Sequence, residues 1–136
     1  MKKTTLGLAM LAAVSFSGTA NAQSVVVDQG AIFAACSGAA TSCQAVVAAQ
    51  IARLRAAGLT QVQVNAQIAV VASSVVSASA SATTPAARAA VSAALTTAAG
   101  QSSDATQRAS ITTAATNVST GTSTPGAVEP AAFSPA

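Results

Sequence analysis

Branched apolar residues recur at helical spacing on both sides of one short turn, and this pattern constrains the chain more than any other feature. Val47, Ile51 and Leu54 are separated by four and three residues, and Val64, Ile68, Val71 and Val75 by four, three and four. Each run places its members on one face of a helix. Between the runs stands Gly58-Leu59-Thr60. Gly58 suits the position just past a helix end, where a left-handed backbone is common. Thr60 with Gln63 makes a capping box, and Leu59 holds its staple position. Thr41-Ser42-Cys43-Gln44 repeats the box ahead of the first run. The spacing therefore predicts helices over about 42–57 and 61–81. So short a connection predicts that they pack antiparallel. Val62, Ala66, Ala69 and Val76 are expected to broaden the second stripe, and Arg53 and Arg55 fall where cations favour a helix C-terminus.

A contrary signal lies in the second run. Val70-Val71 and Val75-Val76 are β-branched pairs, and Ser77–Ser81 alternates with period two. The 4-3-4 spacing and the surrounding Ala and Gln favour helix, with Ser77–Thr83 expected as a fraying end. The fold class that follows is all-α: a small antiparallel helical hairpin or bundle of three to four Ala-rich helices.

Cys36 and Cys43 are the only cysteines. A continuous helix would separate their Cα atoms by ~10 Å, whereas a disulfide needs about 4.4–6.8 Å. If the bond forms, the chain must turn between them, and Ser37-Gly38 is the expected place. A short helix opened by Asp28, running through Ile32, Phe33 and Cys36, would then be pinned to the next one. The loop-entropy gain is about 2–3 kcal/mol. A redox pair is disfavoured, since the C-x-x-C spacing and a thiolate-stabilising charge are both missing. A metal site is disfavoured because there is no His and Asp28 has no acidic partner.

Further along, Thr84-Pro85 is a helix start, hydroxyl cap then Pro. It predicts a helix from 85 to about 99 with Ala87, Val91, Ala94, Leu95 and Ala98 inward and Gly100 ending it. Ser103-Asp104 opens a last helix to about 118, with Ile111, Ala115 and Val118 inward. Residues 119–136, rich in Ser, Thr, Pro and Gly, are expected to form a disordered tail.

At the other end, Lys2-Lys3, the apolar run Leu6–Val14 and Ala20-Asn21-Ala22 read as a bacterial secretory signal over 1–22. The run is far short of the ~20 apolar residues that span a bilayer. The mature chain is then expected in the periplasm or outside the cell, with residues 23–118 as one small helical domain and no transmembrane segment. It keeps Arg53, Arg55, Arg88 and Arg108 against Asp28, Asp104 and Glu129, a net charge of +1. That leaves no electrostatic footprint for nucleic acid and no polybasic cluster for anionic lipid.

Alanine supplies 38 of the 136 residues, so the core must be built from little. Fourteen large apolar residues lie between Ile32 and Val76, but only Val91, Leu95, Ile111 and Val118 between 83 and 119. The second half is expected to need the first half, or a partner, to hold its shape.

Catalytic groups are scarce. There is no His and no Tyr, no Lys after the signal, and the three acids are far apart. A nucleophilic Ser would lack a base, so no enzyme and no cofactor is expected. The first functional reading is a secreted structural or interaction protein, a homo-oligomer or the partner of another helical protein. Its candidate packing or self-association stripe is Val47, Ile51, Leu54, Val64, Ile68, Val71 and Val75. A second is a binder at an ice or lipid interface through Ala/Thr-rich faces, although Thr84, Thr96, Thr106 and Thr116 keep no regular step. A third, on the Val pairs and low charge, is a β-aggregating extracellular matrix protein.

Overall fold

A computed structural model describes residues 25–38, 40–122 and 130–135. The signal-like segment lies outside them. The described residues form five α-helices and two 3-10 turns, with no strand: α1 (Gln29–Ser37), α2 (Ala40–Ala56), α3 (Gln61–Ala78), a 3-10 turn (Ser79–Ser81), α4 (Pro85–Gln101), α5 (Ala105–Thr120) and a second 3-10 turn (Pro130–Phe133). The chain is all-α.

Most helix ends follow from local chemistry. Asp28 accepts from the Ala31 N–H at 2.9 Å, Thr84 from Ala87 at 3.1 Å and Asp104 from Gln107 at 2.7 Å. Thr60 and Gln63 make both halves of their capping box. Each bond satisfies an N–H that a helix start would leave orphaned. Gly58 and Gly121 sit at φ 72° and 73°, a backbone that glycine adopts without a Cβ clash.

Three ends differ from expectation. α2 begins at Ala40, so Thr41 lies inside its first turn. Gln44 reaches across to Thr97 instead, its Nε2 donating to Oγ1 at 3.1 Å. α4 runs through Gly100 to Gln101 and is closed by Ser102. The stretch from 77 stays ordered: Ala78 and Ser79 are buried, and so is Ala82.

α3 touches every other described element. In its second half, Val71 through Val76 are buried without exception. A helix buried all round normally carries no polar side chains, yet this one carries serines. They are satisfied within the helix: Ser73 and Ser74 both donate to the Val70 carbonyl at 2.9 Å, and Ser77 donates to Ser73 at 2.9 Å. Small size and an internal partner let Ser enter the core at little cost. Gln61–Ser81 is also long and apolar enough, by length and composition, to cross a membrane. Its 67% burial inside the fold is that of a core helix.

The packing partners add to the sequence reading. α2 and α3 follow each other across the Gly58 turn and touch, but α2 lies more extensively on α4, and α4 more extensively still on α5. The second half is therefore held by the first half, through α4. Val91, Ala94, Leu95, Ala98, Ile111, Ala115 and Val118 are all buried. Two stripe extensions do not go inward: Val62 is 73% exposed and Ala66 is also exposed. They stand about 200° round the helix from Val64 and Ile68, in the half of α3 that is not enclosed. Phe33 likewise faces out while Ile32 and Cys36 are buried.

Leu95 is fully buried where α4 meets its neighbours. Leu95→Ala is expected to cost about 2–5 kcal/mol of unfolding free energy. Val62→Ala should stay within ~0.5 kcal/mol. Urea titrations followed by helical circular dichroism measure both.

Candidate functional site

The cysteines come together. The Cys36–Cys43 disulfide spans Cα atoms 4.4 Å apart, which a continuous helix could not supply. α1 ends at Ser37 and α2 begins at Ala40, so the reversal falls at the Ser37-Gly38 position read from the sequence. Ser42 adds a second tie, its hydroxyl donating to the Ala35 carbonyl at 3.2 Å.

The seven residues of the apolar stripe are all interior. Val47, Ile51 and Leu54 on α2 and Val64, Ile68, Val71 and Val75 on α3 are each 3% exposed or less. The fold itself covers them, so none is presented to a second molecule.

Among the described residues, every charged side chain except the exposed Arg53 meets the backbone. Asp28 and Asp104 are helix caps. The Arg55 Nη2 donates to the Gln101 carbonyl at 2.7 Å, tying the end of α2 to the end of α4. The Arg88 Nη1 donates to Thr83 at 3.2 Å while its guanidinium packs near Gly121 at the end of α5. Arg108 donates to Ser102 at 3.4 Å. Among the described residues no three His, Cys, Asp or Glu side chains stand close enough to hold a metal ion.

One polar cluster is buried deeply, and the sequence reading missed it. Gln107 is fully enclosed. Its Nε2 donates to the Asn65 carbonyl at 2.8 Å and to the Phe133 carbonyl at 2.7 Å. Its Oε1 accepts from the Ser102 hydroxyl. Asn65, also buried, donates through Nδ2 to Ser103 at 2.8 Å and accepts from the Ser103 N–H at 3.2 Å. One amide thus joins α3, the α4–α5 connection, α5 and the 130–133 turn.

Phe133 is the other missed residue. It is 5% exposed and belongs to the core cluster, and its turn packs on α3 and, less extensively, on α5. Within the segment expected as a tail, the described residues 130–133 form this turn, where one aromatic ring gains burial worth about 1.5–3 kcal/mol. α5 runs on through Ser119 to Thr120. Residues 123–129 lie outside the described ones. A signal for Gln107 was present: Asp104 with Gln107 has capping-box spacing. Its backbone does meet the cap, but its side chain turns inward.

No protein-family model, curated protein or solved structure matches this chain. The site is read from its own geometry alone.

Gln107→Leu fills a similar volume but removes the donor to the Phe133 carbonyl and the acceptor of the Ser102 hydroxyl. It should lower stability by about 1–3 kcal/mol, read from urea unfolding. A change within ~0.5 kcal/mol would mean that the amide is not what holds these segments.

Proposed function

We propose that this chain is an exported helical protein with a structural or protein-interaction role in the bacterial envelope or extracellular space, built as a small bundle around the α2–α3 hairpin. One observation carries the reading: apart from the exposed Arg53, the charged and cysteine side chains described are engaged in holding the fold. The cysteines are bonded to each other. Two acids cap helices, and three arginines hold carbonyls. The deepest polar group, Gln107, makes its contacts within the chain. General acid–base or nucleophilic chemistry needs a group left free for substrate.

What the chain offers outward is shape. Its exposed apolar side chains include Val26, just ahead of α1, and Phe33, on the helix that the disulfide braces. Apolar residues on a braced element suit contact with another protein. The ice or lipid reading has the exposed Thr113, Thr116 and Thr120 of α5 to draw on. Their hydroxyls, however, donate to carbonyls of their own helix, leaving fewer donors for a surface. The β-assembling reading has no strand among the described residues to build on.

Export and oxidation are tested together by expressing the precursor in a bacterium and fractionating the cells. The expected product is a chain beginning at Gln23, outside the cytoplasm, that resists thiol alkylation until reduced. A full-length chain held in the cytosol with two alkylatable thiols would contradict the reading.

A further inference from the structure

We propose that the seat filled by the Pro130–Phe133 turn also receives the same turn from a second copy of this chain. The proposal gives the interaction role above a partner, and so rests on it.

The seat has two recognition elements. One is the place between α3 and α5 that takes the Phe133 ring down to 5% exposure. The other is the Gln107 amide, fully buried, whose Nε2 donates to the Phe133 carbonyl at 2.7 Å. Its second N–H is already committed to the Asn65 carbonyl at 2.8 Å, and its Oε1 to Ser102. The donor is therefore fixed in direction before the turn arrives. A side-chain hole beside a fixed backbone-directed donor recognises a peptide: one aromatic side chain and its own carbonyl. Without an occupant the Gln107 N–H loses the Phe133 carbonyl as its acceptor and the hole loses its ring, so an empty seat is disfavoured.

No disulfide crosslinks the turn to its seat. The disulfide joins Cys36 to Cys43, far away in sequence. The connecting residues 123–129 include Pro125 and Gly126 and a single large apolar residue, Val128. An element that docks through a handful of contacts at the end of a connector can dock on its own copy or on a neighbour with the same contacts, which is the basis of domain swapping. The intramolecular form wins in dilute solution because a short connector gives an effective concentration in the millimolar range. Exchange should therefore appear as chain concentration approaches that range, or where copies are held side by side.

The test is the molar mass of the oxidised chain by light scattering after incubation from about 10 μM to about 1 mM. The expected result is a dimer that grows over this range. A tenfold molar excess of a synthetic peptide covering residues 129–136 should suppress it, whereas the same peptide carrying Phe133→Ala should not. The full chain with Phe133→Ala should lose the dimer by about tenfold or more, as removal of a buried aromatic anchor does. The peptide competition uses the unaltered chain, so the test stands even if that variant is poorly folded. No dimer at about 1 mM overturns exchange. A dimer that neither the peptide nor Phe133→Ala diminishes leaves self-association standing and overturns this seat as its origin.

Discussion

Enclosure of the second half of α3 is the constraint on which the rest depends. From Val71 to Val76 every side chain is buried, and the helix touches every other described element. Such burial requires small side chains where neighbours approach closely and internal partners for any polar group. Ala72, Ser73 and Ser74 supply the first, and the Val70 carbonyl, accepting two serine hydroxyls, supplies the second. The Val residues then fill the remaining volume. A chain this poor in large apolar residues obtains a core by concentrating them on one axis and packing Ala-rich helices against it.

Around that axis the other ties are few and specific. The disulfide sets how α1 reaches α2. Arg55 joins the end of α2 to the end of α4. Gln107 fastens the place where α3, the α4–α5 connection and the 130–133 turn meet. The cost of breaking a buried amide contact exceeds what it contributes when made, so these ties favour one arrangement over loosely packed alternatives.

Much of this was legible from residue spacing. The caps at Thr60, Thr84 and Asp104 and the inward faces of α4 and α5 follow from local signals that act within a few residues. So does the turn forced by Cys36 and Cys43. Other features were not legible, for a common reason: periodicity tells which residues share a face, not what covers that face. It could not say that α2 would lie more on α4 than on α3, that Val62 and Phe33 would point outward, or that serines would enter the core. Phe133 is the extreme case. A single aromatic residue among Ser, Pro and Ala leaves no periodic trace, and its burial depends on a glutamine 26 positions away. The candidate site was therefore less readable than the fold, because it is made of long-range contacts between isolated residues.

Native-state hydrogen exchange, resolved by residue, tests the central place of α3 most directly. Buried core elements open only on global unfolding, while peripheral ones open locally. The account predicts that the backbone amides from Val71 to Val76 exchange slowest of all and at the free energy of global unfolding, with α1 opening at lower cost. Amides of α3 that exchange as readily as those of α1, while α4 and α5 stay protected, would contradict it.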